Sequence, residues 1–331
     1  MNEFIVILKN VILFVALAMP GYILVKTKIL KSTDSGALSK LLTYVGMPFL
    51  IFYGILDVEF NAEFLLTAGI SAGLFILVLV AIYILSVPLT ANYKKTNPPS
   101  TTDDITLKRK RGLLRFCMVF SNNGFLGIPL AMAVFPKDGA FPLVLPILII
   151  MNLLQNLITL DVGGYLVSGG KASISIKKTL INPILIAFIV GVILNVTNVI
   201  DPIPEIKSFA EHLKNLVTPV SMVILGMKLA DIKILQLFTD FRTYYVSFIK
   251  LIVLPVIGVS LAILATNIFN LSNELILATF IAFAMPTAGL ASTLADQHNG
   301  DTEGAVICTL GSTMLSVATI PLLYLALTFI I

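Results

Sequence analysis

The chain has 331 residues, of which 57% are hydrophobic and only 12% charged, with mean hydropathy +0.99 and a formal net charge of +4. A soluble domain carries about 25% charged residues, so this composition excludes a water-soluble globule, whose surface it could not cover. Apolar runs recur along the whole length and short alternating strands do not, which excludes a β-barrel and points to an all-α polytopic membrane protein.

A membrane-crossing helix needs about 20 apolar residues, and ten such spans are expected at 4–25, 39–56, 62–89, 111–135, 140–167, 181–199, 207–229, 241–266, 273–297 and 303–330. The first run is too long for a signal-peptide core, and Ala16 and Ala18 make no convincing cleavage site. Basic residues concentrate in the odd-numbered connections: Lys26 to Lys40, Lys94 to Arg115, Lys171 to Lys178, and Lys228 to Arg242. By the positive-inside rule these connections face the cytoplasm and both termini face outward. The acidic ninth connection, with Asp296, Asp301 and Glu303, departs from the pattern, but acidic residues count little in that rule. The longest connection carries Asn97-Pro98-Pro99-Ser100, which reads as a flexible loop.

Span 4 contains Ser121-Asn122-Asn123-Gly124-Phe125-Leu126-Gly127-Ile128-Pro129, and span 9 contains Ala284-Met285-Pro286-Thr287-Ala288-Gly289. Amides, glycines and prolines are poor material for an unbroken helix in lipid. An unwound backbone is tolerated there only where protein buries it or it lines a wet cavity. The first break is expected near Asn123-Gly124, with the helix restarting toward Pro129. Paired breaks in corresponding positions of two halves point to a carrier's binding site. The halves are 1–170 and 171–331, each of five spans, an odd number that gives them opposite orientation and makes them inverted repeats. Two polar stripes support the pairing: Asn152, Gln155, Asn156 and Thr159 in span 5, and Thr309, Ser312, Thr313 and Ser316 in span 10. Both follow an i, i+3, i+4, i+7 spacing that places each set on one helical face.

The half-helices that restart at mid-membrane expose free N–H groups and a partial positive charge, which suits a carboxylate. The candidate substrate-binding residues are Asn122, Asn123, Gly124, Pro286, Thr287 and Ala288, with Asn152 and Asn156 lining the same cavity from span 5. The competing account of the amides is that they satisfy broken backbone or join helices. Asp161 and Lys250, the ionisable residues within spans, are candidates for coupling or charge relay, against a water-boundary position for the first and snorkelling for the second. Cys117 and Cys308 read as small buried hydrophobes. His298 among Asp296, Asp301 and Glu303 offers too few soft ligands in one short loop, so no metal site and no cofactor are expected. No nucleophile–base signature, phosphate loop or dinucleotide fingerprint is present, so an enzyme is not expected.

Asn122 followed by Gly127-Ile128-Pro129-Leu130 resembles the fourth-span motif of the auxin efflux carrier family, which includes plant PIN carriers and bacterial malate or malonate permeases. Ala284-Met285-Pro286, Asn182-Pro183, Pro48-Phe49-Leu50-Ile51-Phe52 and Leu225-Gly226-Met227 are similar to further family motifs in spans 9, 6, 2 and 7. The resemblance implies the fold of bile acid sodium symporter-like carriers. Spans 1, 2, 6 and 7 would form a scaffold that dimerises, and spans 3–5 and 8–10 a moving transport domain. It also implies that Asn122 contacts substrate. Two positions depart from the family pattern: Ser121 stands where the family has proline, and Ile51 where it has serine. The expected function is a secondary transporter of small organic anions in the plasma membrane, working by elevator-type alternating access, with a proton or sodium ion as coupling partner. No nucleic-acid partner is expected. The alternatives are a sodium-coupled symporter of the bile acid type, a channel and a membrane sensor.

Overall fold

The computed structural model describes residues 2–56, 58–91, 104–135, 139–174, 181–197, 204–232 and 234–331. The proline-rich part of the third connection and Lys94, Lys95, Lys177 and Lys178 lie outside the described residues. Among the described residues, seven helices are long and apolar enough to cross a membrane: Phe4–Lys26, Ser32–Ile55, Ala62–Ala91, Val144–Val167, Pro204–Ala230, Phe241–Phe269 and Thr302–Leu327. They coincide with expected spans 1, 2, 3, 5, 7, 8 and 10. Three shorter apolar helices, Asn123–Val134, Pro183–Thr197 and Glu274–Ala284, fall within spans 4, 6 and 9.

The helices are built inside out for a hydrocarbon solvent. In span 3, Leu65, Leu66, Leu77 and Ile84 face outward while Thr67, Ser71, Ser86 and Thr90 are buried. The four hydroxyls bond to carbonyls three or four residues back on the same helix, so none of them is left bare in an apolar setting.

Four π-helical turns interrupt the spans among the described residues, at Leu42–Gly46, Asn123–Gly127, Thr159–Gly163 and Ile249–Val253. Three of them end one residue short of the position before a proline, ahead of Pro48, Pro129 and Pro255. Proline lacks the N–H for the helical ladder and its ring crowds the carbonyl four residues back. Widening the preceding turn relieves both without ending the helix. Among the residues singled out by sequence, Asn123, Gly124, Asp161 and Lys250 all lie in these turns.

Spans 1 and 7 pack closely because glycines face each other's backbone. A Cβ on Gly226 would lie 1.8 Å from the carbonyl oxygen of Ala18, and one on Gly21 would lie 2.0 Å from that of Val223. Gly226→Val is expected to destabilise the protein by ~3 kcal/mol, the upper end of overpacking costs, because backbone rather than a flexible side chain blocks the space. A thermal melt in detergent reads this, and an unchanged midpoint would refute the packing. Span 6 opens on Asn182, whose Oδ1 accepts from the Ile184 N–H at 2.9 Å, with Pro183 at the first helical position. Near its other end, Asn195 donates to the carbonyls of Ile55, Leu56 and Val58, which close span 2.

Arg242 ties the start of span 8 to the start of span 10 by pairing with Asp240 and Asp301 at 2.7 and 3.2 Å. Asp301 also caps span 10 by accepting from the Gly304 N–H. Burial alone would raise the Asp240 carboxyl, but hydrogen bonds from Arg242 and its charge outweigh burial and hold the group below its usual value. This contact therefore stabilises the fold above the unfolded carboxylate range and weakens as pH falls through the lowered native value.

Candidate functional site

The first break lies earlier than the sequence suggested. The helix Asp104–Val119 ends with the Phe120 N–H on the Phe116 carbonyl, and helix resumes at Asn123. The residues outside the helices are thus Phe120 to Asn122, not Asn123 to Pro129. Two features displace the expectation. The Asn122 carbonyl accepts from both Leu126 and Gly127 at 3.1 and 3.2 Å, so it nucleates the new turn. The π turn absorbs Pro129, which consequently breaks nothing. The second break is where it was expected. Helix Glu274–Ala284 stops, Met285 is extended at φ −68° and ψ 148°, and helix restarts at Leu290. Steric pressure from Pro286 holds Met285 out of the helical region.

The two breaks cross and hydrogen-bond to each other. The Asn122 N–H donates to the Pro286 carbonyl at 2.8 Å, and the Ala288 N–H donates to the Phe120 carbonyl at 2.9 Å. Ser121 and Thr287 thereby form an isolated antiparallel pair. Pro286 contributes its carbonyl and needs no N–H. Three of the backbone groups that point away from this pair are met by side chains from spans 5 and 10. Gln155 accepts from the Ser121 N–H at 3.2 Å and donates to the Ser121 carbonyl at 2.6 Å. Ser312 accepts from the Thr287 N–H at 3.2 Å, and the Thr287 hydroxyl donates to the Cys117 carbonyl at 2.9 Å. Each unpaired backbone group in such a buried place costs about 1–3 kcal/mol, so Gln155 and Ser312 make the break tenable.

Lys250 reaches the same point from span 8. It is fully buried at 0% exposure, and its ammonium donates to the Ser121 hydroxyl. No carboxylate among the described residues pairs with it, and Asp161 in particular does not. Asp161 sits half-buried in the π turn of span 5. Asn123 is turned into the interior, where its Nδ2 donates to Gln155 at 3.2 Å and its Oδ1 has no partner. Asn152 is 1% exposed, with neither side-chain polar atom bonded. Asn156 bonds only the Asn152 carbonyl of its own helix. A Cβ on Gly124 would meet the Met47 side chain at 2.6 Å and Asn152 Oδ1 at 3.3 Å, so glycine there permits a close approach to span 2. Pro286, Thr287 and Ala288 lie in the crossing itself. Cys117 and Cys308 are both buried free thiols.

Asn122, unlike Asn123, is half-buried and faces a pocket that it shares with Lys228, Ser221 and Ser292. The Lys228 ammonium donates to the Ser292 hydroxyl at 2.9 Å. Sequence reasoning placed Lys228 among the topology-setting charges of a connection and missed its place in the pocket. The usable signal was its position in the last turn of an apolar helix, just after the close-packing Gly226.

The membrane transport protein family profile matches residues 171–324, a stretch that holds the second break, Lys228 and Lys250. A protein described as an uncharacterized transporter, from Methanothermobacter thermautotrophicus, is 27% identical over 324 residues, covering 95% of this chain and 96% of that protein. By both likenesses the chain resembles membrane transport proteins. The match agrees with the carrier resemblance of the five short motifs. Together with the apolar helices it supports a multi-pass membrane protein.

Proposed function

We propose that this protein is a secondary transporter of small organic anions, carboxylates above all, working by elevator-type alternating access. The observation that carries the reading is the crossing of two broken spans beside the buried Lys250, which no carboxylate among the described residues neutralises. A buried amine of this kind creates, when it holds a proton, a field that favours an anion. The unbonded amide atoms of Asn123 and Asn152 are groups that a polar ligand would satisfy. Inverted repeats gain support from Gln155 and Ser312. Each holds the second place in its stripe, and each accepts from the outward N–H of one member of the Ser121–Thr287 pair. In this reading spans 3–5 and 8–10 move as one body against spans 1, 2, 6 and 7, which also form a homodimer. The protein lies in the plasma membrane with both termini outside.

Sodium coupling fits the site poorly. The crossing holds an ammonium, and none of its described residues is a carboxylate. Uptake into proteoliposomes is therefore expected to run equally in sodium and potassium buffers. Asn122→Ala, which strips the half-buried amide from the pocket, is expected to lower uptake of every accepted carboxylate at least about tenfold, the loss of one hydrogen bond to a charged group. Undiminished uptake in that variant would overturn the reading.

A further inference from the structure

The start of span 4 carries a charge cluster that the crossing does not use. Lys108, Arg109, Lys110, Arg111 and Arg115 all lie in the helix Asp104–Val119. Among the described residues only Lys108 of the five has an ion-pair partner, Asp104 at 2.7 Å on the same helix. Arg111 and Arg115, four residues apart, share one face of that helix. Both reach the end of span 3. The Arg111 guanidinium donates to the Ala91 carbonyl at 2.5 Å, and Arg115 Nε donates to the Thr90 hydroxyl at 2.8 Å. Span 8 meets the same end, where the Tyr245 hydroxyl donates to the Leu89 carbonyl at 2.8 Å. A guanidinium has five N–H donors, and each of these arginines spends one on span 3. Arg111 Nε has no partner among the described residues. Arg109 is set apart, with its stem against Gly169 at the end of span 5.

Apolar surface begins beside these guanidinium groups. Leu85 and Leu89, also four residues apart, are exposed on span 3, and exposed Phe241 stacks on Tyr245 with 5.6 Å between ring centroids. Aromatic rings at the start of a span mark the headgroup level of a bilayer. We propose that the ends of spans 3, 4 and 8 hold an anionic phospholipid, with its phosphate on Arg111 and Arg115 and its acyl chains along Leu85, Leu89 and the Phe241–Tyr245 pair. Such a site needs only that these helices cross a bilayer, and it stands apart from the carboxylate reading. Phosphate suits it because a guanidinium fork meets two oxygens at once. A soluble phosphate would meet the arginines but leave the apolar flank uncovered. A zwitterionic lipid would bring an ammonium to a cluster that is already positive. If the arginines served only to set topology and to meet the last turn of span 3, one donor from each would suffice, and no lipid would be preferred.

The test uses the full-length protein, delipidated in detergent and offered equimolar phosphatidylglycerol and phosphatidylcholine with the same acyl chains. Native mass spectrometry counts what stays bound. One phosphatidylglycerol per chain is expected to be retained, with a preference of at least about tenfold. Arg111→Gln/Arg115→Gln is expected to weaken its binding about thirtyfold, the worth of two basic residues near an anionic surface. Lys26→Gln/Lys28→Gln, which removes two charges from the first connection, is expected to leave binding unchanged. Should the double arginine variant fail to fold, Arg115→Lys keeps a charge beside Thr90 without the fork and is expected to weaken binding by less. Glycerol 3-phosphate at the same concentration is expected not to displace the lipid. No preference for the anionic lipid overturns the site, and so does an undiminished preference in the arginine variants. An equal loss in the Lys26/Lys28 variant overturns it as well, since the effect then belongs to overall charge. Displacement by glycerol 3-phosphate does the same, since the arginines then take a free phosphate.

Discussion

Lys250→Met is expected to raise the melting temperature and abolish transport. Lys250 is fully buried, and its ammonium is met by the Ser121 hydroxyl alone among the described residues. A buried charge without a paired opposite charge is expensive even when hydrogen-bonded. Methionine has similar length and flexibility, fills the same space and carries no charge. Replacing buried ionic groups by apolar ones of like volume often stabilises by about 1–4 kcal/mol. Loss of a donor to Ser121 offsets about 1 kcal/mol of that gain by the usual worth of one hydrogen bond. The net expectation is a rise of several degrees with uptake at background. A protein keeps such a destabilising group where function needs it. Two measurements on one variant check this: a melt in detergent and uptake in proteoliposomes. A lower midpoint would mean that the ammonium has a stabilising partner. Uptake above a tenth of the wild-type rate would remove Lys250 from the mechanism.

Gln155→Leu should have the opposite signature. Gln155 makes three hydrogen bonds to the first break: to the Ser121 N–H, the Ser121 carbonyl and the Asn123 amide. Leucine fits the volume but leaves all three groups buried and unmet, at about 1–3 kcal/mol each. A loss of at least ~3 kcal/mol is the expected result, or failure to accumulate folded protein, again by that cost per unmet group. Asn156→Leu, one residue further along the same stripe, is the comparison. Its amide bonds only the Asn152 carbonyl of its own helix and is half-buried, so its removal should cost under about 1 kcal/mol. Equal melting points for the two variants would show that Gln155 does not secure the break.

What could be read from the sequence follows from what each signal reports. Seven of the expected spans were legible, as full-length helices among the described residues, because a hydrophobic run of about 20 residues matches the thickness of the hydrocarbon layer. The break of span 9 was legible because Pro286 constrains the residue before it. The break of span 4 was misplaced, because the proline there is absorbed by a π turn whose formation depends on packing around it. The stripe in span 5 was visible from its spacing, yet spacing does not distinguish Gln155, which secures the crossing, from Asn156, which bonds its own helix. Lys250 was ambiguous for a similar reason. A lysine well inside a span can snorkel or be buried, and only the position of its neighbours decides. Lys228 was hidden by the positive-inside rule, since a basic residue at a helix end is what that rule expects.

The main-chain nature of the crossing bears on how such proteins diverge. Its two direct hydrogen bonds join Asn122 to Pro286 and Ala288 to Phe120 through peptide groups alone. These two bonds do not themselves depend on which side chains stand at Phe120, Asn122 and Ala288, whereas the groups around them do. Ser121 illustrates this dependence. The carriers that this chain resembles have proline there, which would offer neither an N–H for Gln155 nor a hydroxyl for Lys250, whereas this chain uses both. Ser121, Gln155 and Lys250 therefore act as one unit here, in which a proline at 121 would strip Gln155 of one partner and the lysine of its anchor.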